Sequence, residues 1–184
     1  VMAYARFASG YRPGGPNPST SIVIAGGPDA YDPDTTLNYE IGIKGEAFDS
    51  LLSFDASVYY IDWKDIQLQL VSPTGQGYFA NASRAKSQGV ELALEARPLP
   101  GLSIAGWVAY NDAVLTEDLP AASTARAFDG DRLPVSSRIS GSLSLEQEFQ
   151  LTALATGYVG GTISYVGDRL GVFSPATSQR QVFP

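Results

Sequence analysis

Residues 81–110 alternate between apolar and polar positions in two runs that meet at a short turn. In the first run Val90, Leu92, Leu94 and Ala96 share one side, with Glu91, Ala93, Glu95 and Arg97 on the other. After Pro98-Leu99-Pro100-Gly101 the second run sets Leu102, Ile104, Val108 and Tyr110 against Ser103, Ala105, Trp107 and Asn111. A period of two predicts strands with one face in an apolar medium and the other in a polar one. The tight turn predicts an antiparallel hairpin.

The rest of the chain repeats this unit. Residues 1–9 read as a short strand, followed by a Gly/Pro/Asn/Ser-rich loop over 11–34. At that length a loop is functional or disordered. Residues 36–47 alternate again, Leu37, Tyr39, Ile41 and Ile43 against Asn38, Glu40, Lys44 and Glu46, and a turn follows at 48–50. Residues 51–70 read as one long strand with Leu52, Phe54, Ala56, Val58 and Tyr60 on its apolar side. A small connection at 72–77 leads into the central pair, and a longer one spans 113–133. Strands are then expected over 134–146 and 150–166, with a turn at 147–149 and no element after 167.

The strands therefore run alternately up and down, with very short turns at one end and long loops at the other. That asymmetry is a mark of outer-membrane barrels. A soluble sandwich also alternates, but two further features favour the barrel. The runs approach the roughly nine to eleven residues that a tilted membrane strand needs. Tyr and Trp, Trp63 included, gather near strand ends as an interfacial girdle does. Seven strands is an awkward count, because bacterial single-chain barrels have even numbers and must close on themselves. With a first strand already under way at Val1 and no closing strand before Pro184, the expectation is one partial barrel domain over 1–184.

Composition narrows the chemistry. The 184 residues carry 12 Lys and Arg against 19 Asp and Glu, a net charge of -7, so there is no basic stripe to neutralise phosphates and no nucleic-acid partner is expected. Cysteine and histidine are both absent. Their absence removes Ser-His-Asp and Cys-His chemistry, thiolate metal sites and the usual zinc centres. Neither a cofactor nor a resident metal is expected, and the chain is not read as an enzyme. Asp55 with Glu40 as a glycosidase pair has nothing to fix its spacing. Asp112, Asp118, Asp129 and Asp131 offer hard oxygen ligands, but Asp129-Gly130-Asp131 lacks the rest of a calcium loop. Gly14-Gly15-Pro16 and Gly26-Gly27-Pro28 do not complete a phosphate loop.

Four stretches carry a family resemblance: Tyr4-Ala5-Arg6-Phe7-Ala8-Ser9-Gly10-Tyr11-Arg12-Pro13-Gly14, Leu37-Asn38-Tyr39-Glu40-Ile41-Gly42-Ile43-Lys44, Ser57-Val58-Tyr59-Tyr60-Ile61-Asp62-Trp63-Lys64-Asp65-Ile66-Gln67, and Asn81-Ala82 through Gly89-Val90-Glu91-Leu92. In order and spacing they resemble the barrel of TonB-dependent outer-membrane receptors. The resemblance implies a barrel of about 22 strands, of which this chain holds some seven, plugged by a globular domain. It also implies residence in the bacterial outer membrane and contact with its lipid. The implied partners are a plug of the same full-length chain, the TonB complex acting through that plug, and an imported solute such as a ferric siderophore. The competing function is a secreted β-sandwich module that binds carbohydrate.

Candidate residues follow in two groups. Tyr11, Arg12 and Tyr78, with Arg126 and Arg132 in the later loop, are candidates for solute contact, since arginine suits anionic ferric chelates and rings suit catechols or sugars. The plain alternative for Tyr11 and Tyr78 is the girdle. Glu40, Lys44, Glu91, Glu95 and Arg138 are expected to face the lumen, where they would hold the plug or guide solute. The plain alternative there is a solvated wall of mutually paired charges.

Overall fold

The alternation resolves into strands whose edges pair in simple succession. The computed structural model describes residues 1–17, 28–71, 77–81, 83–120, 126–171, 173 and 182–183. In chain order the strands are β1 (Met2–Arg12), β2 (Gly15–Pro16), β3 (Ala30–Tyr31), β4 (Asp34–Ala47), β5 (Leu52–Lys64), β6 (Gln67–Val71), β7 (Gly77–Asn81), β8 (Ala85–Leu99), β9 (Leu102–Leu115), β10 (Ile139–Thr152), β11 (Ala155–Val166), β12 (Arg169–Leu170) and β13 (Val182–Phe183). Seven of them form one antiparallel sheet in the order β1-β4-β5-β8-β9-β10-β11. The other six pair off as β2-β3, β6-β7 and β12-β13.

Register carries the period-two pattern across the whole sheet. Ile41, Val58, Val90, Tyr110 and Ile139 align in one row on the apolar face. One residue along, Gly42, Ser57, Glu91, Ala109 and Ser140 align on the polar face. A one-residue slip in any pair would reverse the faces, so the pattern fixes the register. Among the described residues no second layer covers the apolar face: Ile41 is 62 % exposed, Leu143 53 % and Ile163 71 %. A sandwich would have buried those side chains, so the sandwich reading fails. An apolar band of this size left bare is the face a barrel turns to lipid.

The outward aromatics give the tilt. Tyr60 lies on β5; two strands on, Tyr110 of β9 lies two residues lower than Asp112, which shares the row of Tyr60. Two strands further, Tyr165 of β11 shares the row of Val108, again two residues lower. Two residues along for every two strands across is a slope of about 35°. That lies at the lower end of the tilt of membrane barrels, about 35–45°, so the three rings run level around the wall as an interfacial girdle does.

Several boundaries depart from expectation. The run over 51–70 is broken at Asp65, whose φ of 55° is left-handed, and beyond it β6 turns back against β7. Residues 147–149 are strand, not turn: β10 continues to Thr152 and the chain reverses at 153–154. The backbone ladder to β11 pairs Gln147, Glu148 and Phe149 with Val159, Tyr158 and Gly157 and so carries the strand through the expected turn. β10 begins at Ile139 rather than 134, and β1 runs on to Arg12 before the small β2-β3 pair. A second small pair, β12-β13, lies in the stretch after 167. The expected turn at 72–77 lies, apart from Gly77, outside the described residues, as do Gly26 and Gly27.

Trp63 is the main correction. It belongs to the polar row with Thr36 and Ala85, so it points inward rather than toward lipid. There it packs on a small core of Ile66, Ala85, Leu115 and Ala127, with Leu68, Leu119, Leu133 and Phe173 around it. Position near a strand end suggested a girdle residue, but strand parity decides the face.

The outward face generates a direct test. Leu92→Arg should destabilise the membrane-inserted state by about 2–4 kcal/mol, and arginine at inward Ser142 by far less. Reversible denaturant unfolding from lipid vesicles checks this, and equal costs at both positions would contradict the assignment of faces.

Candidate functional site

The strand geometry makes two polar regions: the inner wall and the layer of loops at its outer end. On the wall, the Arg6 guanidinium pairs with Glu40 at 2.8 Å, and the Tyr4 hydroxyl donates to the same carboxylate at 2.9 Å. The Tyr4 ring lies flat over Gly42, where a Cβ would come within 2.4 Å of it, and Lys44 Nζ stands 5.7 Å from the ring centre. Glycine is needed at 42 because the ring occupies the space a side chain would take. Tyr59 covers Gly89 in the same way and donates to Asn111 Oδ1 at 3.1 Å, which also accepts from Ser87 at 2.7 Å.

Ala93 sits between Asp55 and Trp107 in its row and between Glu91 and Glu95 along its strand. The hollows on either side are lined by these residues with Lys44 and Glu46 below and Tyr4 and Glu40 above. Glu95 pairs with Arg97 at 2.7 Å, and Arg138 reaches Asp112 at 3.7 Å. Beyond Trp107 the wall turns to small hydroxyls: Ser144 and Thr162 are 2.9 Å apart, and Ser164 donates to Ser142 at 3.3 Å. The structure therefore brings Glu40, Lys44, Glu91 and Glu95 together on the polar face and leaves Arg138 near its outer rim.

At the outer end the loops are joined by side chains. Asp34 is 3 % exposed and accepts from the Arg12 guanidinium, which also donates to the Gln67 carbonyl at 3.2 Å. Gln67 Nε2 lies 3.2, 3.0 and 3.0 Å from the carbonyls of Arg12, Pro13 and Asp32. Asn81 accepts from the Asp32 amide at 2.6 Å and donates to the carbonyls of Asp32 and Asp65, both at 2.8 Å. Asn17 pairs with both backbone groups of Phe79, at 2.8 and 2.7 Å. The rings of Tyr31 and Phe79 lie 5.4 Å apart.

The solute candidates are scattered. Tyr11 is 75 % exposed on the outward face, in the row of Thr35. Arg12 is tied to Asp34, while half its side chain stays exposed. Tyr78 is buried against Leu68 and Ala80 inside the β6-β7 hairpin. Arg126 is exposed beside Phe128, itself 61 % exposed. Arg132 is largely buried and pairs with Asp168 at 2.8 Å. The aspartates of the third loop serve the turn: Asp118 accepts from the Asp129 amide and Asp131 from the Phe128 amide, both at 2.8 Å. Gln67, Asn81 and Asn17 escaped notice as sites because amides in loops are common; only Asn81 and Gln67 stood inside a family-like stretch.

Comparisons with known proteins agree on one family. A family model described as "TonB dependent receptor-like, beta-barrel" matches residues 1–180. The metal-pseudopaline receptor CntO of Pseudomonas aeruginosa is 32 % identical over 159 residues, covering 84 % of this chain and 21 % of that protein. The pesticin receptor of Yersinia enterocolitica is 32 % identical over 133 residues, covering 71 % of this chain and 18 % of its own length. The crystal structure of the ferric yersiniabactin uptake receptor FyuA from Yersinia pestis superposes with a TM-score of 0.73 at 25 % identity, over 98 % of this chain and 26 % of that one. The chain thus spans about a fifth of the length of the curated relatives it matches.

Two predictions follow from the loop contacts. Arg12→Ala leaves the buried Asp34 carboxylate without its cation and should cost about 1–3 kcal/mol of local stability. Asp34→Asn in the same chain should recover part of that loss, a coupling that a double-mutant cycle on amide exchange near Gln67 would measure. The hydrogen bond from Arg132 holds the Asp168 carboxyl below its ordinary value of 3.8, outweighing the upward push of partial desolvation. A depressed folded-state value means the Arg132 tie stabilises in full above the ordinary carboxylate range. It weakens as pH falls below 3.8 and is lost once pH passes below the depressed value. Amide exchange at Val135, whose N–H donates to Leu170 at 2.8 Å, should therefore accelerate in acid beyond its intrinsic rate, and Asp168→Asn should abolish that extra pH dependence.

Proposed function

The chain belongs to the TonB-dependent receptor β-barrel family of the bacterial outer membrane, a family of transporters rather than enzymes, and on that premise we propose that it takes part in TonB-driven uptake of a ferric siderophore or similar metal chelate. The observation that carries this reading is the division of one sheet into a bare apolar face, a charged polar face and a joined layer of loops at one end. The relatives support the solute class, since their names speak of a metal-pseudopaline receptor and a ferric yersiniabactin uptake receptor. In this reading residues 1–184 are part of the barrel domain of a larger receptor. The apolar face meets outer-membrane lipid, and the polar face meets a plug domain of the same polypeptide.

The residues take graded roles. Exposed Arg126 is suited to an anionic chelate, and the exposed half of Arg12, whose charge is paired with Asp34, adds hydrogen-bond donors. Tyr78 and Arg132 act from beneath, shaping the loops they are buried in, while Tyr11 stands nearest the lipid. Glu40, Lys44, Glu91 and Glu95 face the plug, with Arg138 at the rim where solute would pass inward. The plug is released when the TonB complex pulls on it, and the barrel wall stays fixed.

Growth of iron-starved cells provides the test. Deleting the gene should slow growth on one ferric chelate from a panel of catecholate, hydroxamate and carboxylate types, and restoring it should recover growth. The purified full-length protein should bind that same chelate more tightly than about 1 μM. Binding of a glycan or cobalamin instead, with no ferric chelate bound, would overturn the solute class.

A further inference from the structure

The two loops over 13–33 and 65–84 are joined by amide side chains, and one residue holds both ends of the first. Gln67 reaches the start of that loop through the carbonyls of Arg12 and Pro13 and its end through the carbonyl of Asp32. Its own backbone adds the same two directions, since the Gln67 carbonyl accepts from Arg12 and its N–H faces Asp34 Oδ2 at 3.4 Å. Asn81 lies directly across from Gln67 in the β6-β7 ladder and takes both backbone groups of Asp32. Midway along β7 Asn17 does to Phe79 what a neighbouring strand would do. Among the described residues no backbone-to-backbone hydrogen bond joins these two loops.

Primary amides suit this task because each presents a donor and an acceptor in one plane, matching the paired N–H and C=O of a peptide. Without such partners these exposed loop carbonyls would bond to water instead, and the two loops would lose their ties. The geometry points to Gln67 as the positioning residue of a single rigid body made of residues 12–17, 28–34, 65–71 and 77–81, which move together when solute is taken up. This rests on the reading that the outer loops meet solute. A seam borders that body on the other side, where Arg84 and Glu117 form an exposed ion pair at 3.6 Å and Ser83 donates to the Glu117 carbonyl at 2.9 Å. The Thr116 N–H also donates to the Arg84 carbonyl at 2.9 Å, and the cluster of Ile66, Ala85, Leu115 and Ala127 spans the same border, so the exposed ion pair is a minor part of the contact there.

The test needs no solute, so its failure is distinct from failure of the uptake reading. The chain has no cysteine of its own, and spin labels at Asp29→Cys and Gly77→Cys in the full-length protein report one distance between the loops. A narrow distribution is expected. Gln67→Glu keeps the size of the side chain but turns an oxygen toward three carbonyls, and should broaden the distribution. It should also raise amide exchange at Asp32 roughly tenfold. Asn17→Ala should broaden the distance in the same way if Gln67→Glu fails to fold. Glu117→Gln, at the seam, should leave it unchanged. A broad distribution in the parent protein, or a narrow one that survives both Gln67→Glu and Asn17→Ala, would overturn the proposal.

Discussion

Hydrocarbon offers no partner to a backbone N–H or C=O, so a chain that crosses it with strands must pair every such group with a neighbouring strand. That requirement explains most of this protein. It makes the strands long, because each must cross the apolar layer at a tilt. It makes the pairing strictly sequential, because each new strand closes the open edge left by the last. It also confines the irregular backbone to the ends, where water satisfies what the ladder does not. The turns at one end are therefore short, and the loops at the other carry whatever variety the protein has.

Once the ladder is fixed, parity assigns every side chain to lipid or to the interior. The outward face spends its freedom on apolar bulk and a level row of tyrosines. The inward face divides further. Over β1, β4, β5 and β8 it carries Arg6, Glu40, Lys44, Asp55, Glu91 and Glu95, with tyrosine rings laid flat over glycines. Over β10 and β11 it carries Ser140, Ser142, Ser144, Thr162 and Ser164, with Ser144 bonded to Thr162 and Ser164 to Ser142, and Glu146 and Glu148 nearer the turn end. The first half of the wall is charged along its length, while the second carries charge only toward the turn end.

The outer layer solves a different problem. Loops above the membrane carry only short two-stranded ladders, and they gain further cohesion in two ways. A small apolar cluster around Ile66, Ala85, Leu115 and Ala127 anchors them to the end of the sheet, with Trp63 rising from the inner wall to join it. Side chains then substitute for backbone partners: amides across the first two loops, and the Arg132–Asp168 pair between the third loop and the segment after β11. The Arg12–Asp34 pair ties this layer to the heads of β1 and β4.

The sequence by itself determined the all-β class, the antiparallel order, the two faces and the end that carries long loops. These are local properties, since a period of two and a Pro/Gly turn act over neighbouring residues. It also placed Glu40, Lys44, Glu91 and Glu95 on one polar face, by parity alone. Only the tertiary structure decided where regular strand gives way. The left-handed Asp65 splits what reads as one strand, and the ladder between β10 and β11 carries strand through Gln147, Glu148 and Phe149. Only the tertiary structure packed Trp63 against a core, hid Tyr78 within a hairpin, and engaged Arg12 with a buried Asp34. The loop layer depends on contacts between residues far apart in the chain, such as Arg12 with Asp34, Arg12 with Gln67 and Asn17 with Phe79, at separations of 22, 55 and 62. Amide and guanidinium groups fit many partners equally well, so composition and spacing do not choose among them; the fold does, by bringing one partner within reach.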